Sequence, residues 1–107
     1  MTVNISLKEN EYKKLSNFFS VFSDPTRLKI IVFLLNSSSP CCVTKIATSL
    51  SLNQPAVSQQ MRVLRNAGLV KAEREGKFIR YRIADQHVWE VINIGISHIK
   101  SFTAEEV

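Results

Sequence analysis

Apolar residues first recur with a helical period. Tyr12, Leu15, Phe18, Phe19 and Phe22 fall at steps of three and four, which predicts an amphipathic helix over 9–22. In "SDPTRLKIIVFLLN", Asp24 is a good N-cap and Pro25 suits the first helical position, where no N–H is needed. Leu28, Ile31, Phe33, Leu34 and Leu35 make this second helix apolar on most sides, the pattern of a central buried helix. "NSSSP" at 36–40 is a loop by composition. A short helix over about 43–50 turns Val43, Ile46, Ala47 and Leu50 inward. After the tight connection "SLN", Asn53 caps a helix with Pro55 in its first turn and an inward stripe of Val57, Met61 and Leu64. Gly68 is placed to close that helix. The period then drops to two. "LVKAERE" and "FIRYRIA" alternate apolar and charged residues around "GK", which reads as a hairpin. A last helix begins at Asp85, another N-cap, and carries Val88, Val91, Ile92, Ile96, Ile99 and Phe102.

The order is helix, helix, short helix, tight turn, helix, hairpin, helix. It predicts a mainly α fold with a small β-hairpin wing, a winged helix-turn-helix. At 107 residues the chain suits one domain spanning 1–107. A domain this small buries only part of its surface, which favours oligomerisation. Apolar residues at 45%, with three glycines and three prolines, exclude a disordered or linker-rich chain. The N-terminal stretch lacks a basic segment followed by an apolar run, so no signal peptide is expected. "LKIIVFLL" is too short to span a bilayer, and a cytoplasmic location is expected. The two cysteines, Cys41 and Cys42, are adjacent and exclude a disulfide framework.

Charge changes the picture by its position. Residues 62–82 hold seven basic and two acidic side chains, an excess equal to the +5 of the whole chain. A localised basic stretch favours a polyanionic partner, first of all nucleic acid; a merely solvated basic surface is the plain alternative. With Val57, Met61 and Leu64 turned inward, Gln54, Ser58 and Gln59 are left on the outer face of the second helix of the motif. That helix lies in the DNA major groove in such folds, and glutamine and serine both suit base edges. Arg62 and Arg65 suit phosphates, as do Thr44 and Lys45 at the start of the preceding helix. Lys77 at the wing tip, with Arg74 and Arg80 nearby, completes the candidate surface.

"FSDPTRLKIIVFLL" together with "LNQPAVSQQMRVLRNAGLVKAEREGKFIRYRIAD" resembles the ArsR/SmtB repressors of bacteria, over about residues 18–101. The resemblance implies a homodimeric transcriptional repressor that binds an imperfect inverted repeat in double-stranded DNA. Such a repressor is released by an inducer, often a metal ion. It also implies that helices near 9–22 and 85–102 form the dimer interface, a role their apolar stripes suit independently.

Both histidines lie on the last helix. His87 and His98 are eleven residues apart, about three turns and about 16 Å along one face, so one helix cannot offer both to one ion. Two antiparallel copies can bring His87 of one to His98 of the other, with Asp85 joining, to give two equivalent sites per dimer. The family layout that the resemblance implies sets an Asp-x-His pair against a His-x-x-His pair. Here Ser101 takes the fourth position and is a poor ligand for zinc or another divalent transition metal. Glu105 and Glu106 are nearby candidates for the gap. Asp85 as a simple cap and the histidines as interface residues make the plain alternative, a degenerate site with no metal response. The family's Cys-Val-Cys segment corresponds to "CCVT", in which Thr44 replaces the second cysteine. Cys42 at a helix N-terminus is a candidate redox thiol, against the plainer reading of an inert cysteine.

Two other classes compete. Cys41 or Cys42 with either histidine could form a nucleophile–base pair, but no orienting motif or phosphate loop accompanies them, so no enzyme is expected. A winged-helix protein-interaction module is the stronger competitor, and a salt-dependent affinity for duplex DNA separates the two.

Overall fold

Local side-chain caps set most of the helix boundaries. The computed structural model describes the backbone of residues 1–106 and the side chains of residues 1–102. Helix α1 (Glu9–Val21) starts where the Lys8 N–H donates to Glu11 Oε1 at 3.0 Å. In α2 (Pro25–Leu35), Asp24 Oδ2 accepts from the Arg27 N–H at 2.9 Å, and Pro25 occupies the first turn. After β1 (Cys41–Cys42), α3 (Val43–Leu50) ends at Ser51, which adopts the left-handed conformation with φ 56°. The Leu52 N–H then donates back to the Ala47 carbonyl at 2.9 Å. Helix α4 (Gln54–Asn66) opens on Asn53, whose Oδ1 accepts from the Ala56 N–H at 2.8 Å. Residues 51–53 are therefore the whole connection between α3 and α4. Gly68, φ 78°, stops α4: its N–H reaches the Arg65 carbonyl and the Leu69 N–H reaches that of Leu64, both at 3.0 Å. This pair of bonds satisfies the last carbonyls of the helix and turns the chain into the hairpin.

The hairpin is β2 (Val70–Glu75) and β3 (Phe78–Ile83), joined through Gly76 at φ 61° and Lys77. The two-residue β1 pairs with the other edge of β3, Cys41 opposite Tyr81 and Cys42 opposite Arg80. The sheet is antiparallel, in the order β1-β3-β2. Two residues are too few to show a period of two, so β1 is invisible as a pattern and exists because β3 offers an edge. Helix α5 (Gln86–Glu106) opens on Asp85, whose Oδ1 accepts from the His87 N–H at 2.9 Å.

The core forms where α2, α3, α4 and the base of the hairpin meet. Ile30, Ile31, Ile46, Val57, Met61, Leu64 and Leu69 are its fully buried side chains. Burial of each such residue stabilises the fold by about 1.5–3 kcal/mol. Val88 and Ile92 dock the first half of α5 onto this core, and Val21 is the buried residue of α1. Phe18, Phe22 and Val91 are half-buried, and the remainder of both apolar stripes is uncovered. Tyr12, Leu15 and Phe19 on α1 and Ile94, Ile96, Ile99 and Phe102 on α5 are exposed.

Candidate nucleic-acid interface

Three buried side chains fix the orientation of α4. Val57, Met61 and Leu64 are fully enclosed, so the opposite side of the helix must face solvent. Gln54, Ser58, Gln59, Arg62 and Arg65 are all exposed there. Thr44 and Lys45 are exposed in the first turn of α3. The neighbouring Gln60 differs from Gln59. It is half-buried, and its Oε1 accepts from Arg27 Nη1 at 3.3 Å. Arg27 Nε donates in turn to the Val21 carbonyl at 3.0 Å. One guanidinium thus ties the end of α1, the first turn of α2 and the middle of α4 together. Sequence reasoning missed this clamp; the available signal was one of two charged residues, Arg27 and Lys29, in a mostly apolar helix.

The hairpin register sorts the wing charges. Residues directly opposite share a face. Val70, Ala72 and Arg74 therefore lie with Ile83, Tyr81 and Ile79, and Lys71, Glu73 and Glu75 lie with Arg82, Arg80 and Phe78. On the second face the carboxylates reach diagonally. Arg82 Nε donates to Glu73 Oε1 at 2.6 Å, and Arg80 Nε lies 3.0 Å from Glu75 Oε2 without hydrogen-bond alignment. Arg80, a candidate phosphate contact, is thereby engaged within the wing. Arg74 and Lys77 are exposed and have no ion-pair partner among the described residues.

The candidate ligand residues on α5 are only partly brought together. His87 Nδ1 lies 3.0 Å from Asp85 Oδ1, and both side chains are well exposed. The same carboxylate oxygen caps the helix, so it holds the imidazole with Nε2 free to face outward. His98 is exposed three turns further along. Among the described residues no group of three or more His, Cys, Asp or Glu side chains is gathered in one chain. One chain therefore does not fit a metal ion at this place. The side chains of Glu105 and Glu106 lie outside the described residues. Cys41 is buried, with Sγ 3.4 Å from the Ser39 carbonyl, whereas Cys42 is half-buried beside Arg80.

Between α1 and α5 runs an open groove of about 830 Å³, walled by Leu15, Phe18, Phe19, Val88, Val91 and Ile94. Among the described residues no helix is long and apolar enough to cross a membrane.

A buried-stripe helix with a polar and basic outer face, reached by a three-residue turn and followed by a cationic wing, defines a winged helix-turn-helix transcriptional regulator. The chain belongs to the ArsR family: the pattern of that family, "Bacterial regulatory protein, arsR family", matches residues 24–72. It is 40% identical over 84 residues to an uncharacterized HTH-type transcriptional regulator of Methanocaldococcus jannaschii, covering 78% of this chain and 93% of that protein. Among solved structures it is similar to the AntR antimony-specific transcriptional repressor, with a TM-score of 0.80, 28% identity, and coverage of 100% of this chain and 94% of that one. It is also similar to a homodimeric winged helix-turn-helix DNA-binding domain from Mycobacterium bovis, with a TM-score of 0.78, 25% identity, and coverage of 94% and 91%. The protein is a transcriptional regulator and not an enzyme.

Proposed function

We propose that the chain works as one domain in a cytoplasmic homodimeric repressor, which binds an imperfect inverted repeat in double-stranded DNA and is released by an inducer. The observation that carries this reading is the division of α4 into a fully buried stripe and an exposed face of Gln54, Ser58, Gln59, Arg62 and Arg65. In this reading Gln54, Ser58 and Gln59 meet base edges. Thr44, Lys45, Arg62, Arg65, Arg74 and Lys77 meet phosphates and set the register. Arg80 contributes chiefly through the wing, since its guanidinium is paired with Glu75. The second copy covers the groove between α1 and α5, whose exposed apolar walls include Leu15, Phe19 and Ile94, together with the neighbouring Tyr12, Ile96, Ile99 and Phe102. The relative from Mycobacterium bovis is described as homodimeric, which supports this assembly.

The test is binding to a duplex that the protein itself enriches from a random-sequence pool. Affinity should fall steeply with salt, and footprinting should protect two blocks about one DNA turn apart. A flat salt dependence would instead favour a protein-interaction module.

For the inducer, the pairing of Asp85 with His87 favours a metal ion such as zinc, held by these two and by His98 of a second copy. Ser101 leaves such a site one protein ligand short, so a water would complete the tetrahedron. Metal would then tie the α5 pair together across the dimer. Oxidation of Cys42 is the other candidate signal, because its thiol borders α3, which leads into the reading helix. Titration calorimetry of the reduced protein with zinc, repeated on His98→Ala, separates them. Sub-micromolar binding that His98→Ala abolishes supports the metal; its absence leaves a degenerate site.

A further inference from the structure

Arg27 stands where its own helix gains nothing from its charge. It is the third residue of α2, and a cation in a first turn lies at the positive end of the helix dipole. Helix α1 has the opposite need. No basic residue lies in its last turn, and its C-terminal carbonyls carry partial negative charge. The Arg27 guanidinium meets that need across the bend, with Nε donating to the Val21 carbonyl at 3.0 Å. Its Nη1 donates to Gln60 Oε1 on α4 at 3.3 Å. We infer that Arg27 is a positioning residue for base readout: through Gln60 it fixes the roll of α4 about its own axis, with the end of α1 as the anchor. The inference rests on the DNA-binding reading above and adds to it a residue that touches no DNA.

Val57, Met61 and Leu64 decide which side of α4 faces inward. Apolar contact is non-directional, however, and tolerates a small roll. Base readout does not. A glutamine that meets an adenine edge makes two hydrogen bonds at once, and such a site must be held to within about 0.5 Å and about 10–20°. Gln60 follows Gln59 by one residue, about 100° around the helix. It is half-buried, on the flank between the enclosed stripe and the exposed face. A hydrogen bond at that flank opposes roll with a directional force.

Packing of α1 against α4 offers less support. An open cleft of about 510 Å³ runs between Lys14, Asn17 and Val21 of α1 and Val63 and Asn66 of α4. Arg27 bridges the two walls, from the Val21 carbonyl to Gln60, three residues before Val63. The helix that carries Gln59 is thereby referred to α1, the helix that a second copy covers.

The experiment uses the full chain, a duplex that the wild-type protein enriches from a random pool, and a scrambled duplex. Gln60→Met keeps the side-chain length and removes the acceptor. It should lower the enriched-over-scrambled affinity ratio about tenfold and leave the scrambled affinity unchanged. Arg27→Met should do the same, and the double variant should fall no further than either single one, as for one shared interaction. Gln60→Glu keeps an acceptor for the guanidinium. It should retain the wild-type ratio, but not in the Arg27→Met background. The salt slopes of Gln60→Met and Arg27→Met should match the wild type, since neither residue neutralises a phosphate. Gln60→Met breaks a single bond at the rim of the core, so the test stands even where Arg27→Met does not fold. An unchanged ratio in Gln60→Met, equal losses on both duplexes, or additive losses in the double variant overturns the positioning role. A lower salt slope in Arg27→Met overturns it in favour of a direct phosphate contact. In each of these cases, a ratio that Gln59→Ala still lowers leaves the reading helix intact. A wild-type chain that enriches no duplex overturns the DNA-binding reading and the positioning role with it.

Discussion

Ser51 is the non-glycine residue with positive φ among those described, at 56°. It holds the left-handed turn that lets α3 end and α4 begin three residues later. An L side chain there costs about 1–2 kcal/mol. Ser51→Gly should relieve that strain and lose part of the gain to a more flexible unfolded chain. The expected net effect is about 0.5–1 kcal/mol of added stability, read as a thermal midpoint a few degrees higher at fixed protein concentration. A lower midpoint would show that the serine side chain supports the turn in another way. At this scale the sequence is highly legible. Asp24, Asn53, Asp85 and Gly68 all act at the helix ends their chemistry suggests, because a cap needs partners only two to four residues away. The left-handed Ser51 is the exception, since nothing in "SLN" announces positive φ at a serine.

Between elements, Arg27 carries the connection that periodicity could not reveal. Its guanidinium spans 33 positions to Gln60 and 6 back to the Val21 carbonyl, and no local rule links residues so far apart. Arg27→Ala removes two hydrogen bonds from a charged donor, each worth about 1.5–3 kcal/mol at most, in a partly buried place. A loss of about 1–3 kcal/mol is expected in denaturant unfolding. Because Gln60 adjoins the exposed Gln59, DNA affinity should fall as well. Unchanged stability would mean the clamp is incidental. The hairpin and the inward stripe of α4 were readable because alternation and three-four spacing are written into consecutive residues. Strand β1 was not, because its two cysteines become a strand only when β3 lies beside them. The wing charges were readable as a group but not as individuals. Only the side-chain distances show that Glu73 and Glu75 are matched to Arg82 and Arg80, diagonal to the strand register, while Arg74 and Lys77 have no ion-pair partner among the described residues.

For the whole molecule, the telling feature is how little of α1 and α5 the chain covers by itself. Phe19 is 54% exposed and Ile99 64% exposed, although both belong to regular apolar stripes. A stripe that is regular but uncovered is expected at an interface between copies. Phe19→Glu leaves every fully buried side chain in place, so the fold should persist with its circular dichroism unchanged. The dimer should weaken by at least tenfold in sedimentation equilibrium. DNA affinity should drop with it, because a monomer presents one reading helix to an operator built for two. A Phe19→Glu protein that stays dimeric would move the interface elsewhere. The candidate metal site belongs to the same scale. Asp85 Oδ1 lies 3.0 Å from Nδ1 of His87, two residues further along the chain. His98 is exposed in the single chain.

The central claim is that the exposed face of α4 reads base edges while the surrounding cations hold phosphates. The most direct measurement compares wild type and Gln59→Ala on the enriched duplex and on a scrambled duplex at one salt concentration. The account predicts that Gln59→Ala loses about 1–3 kcal/mol on the enriched duplex and almost nothing on the scrambled one, so that specificity falls. Equal losses on both duplexes, or none on either, would contradict it.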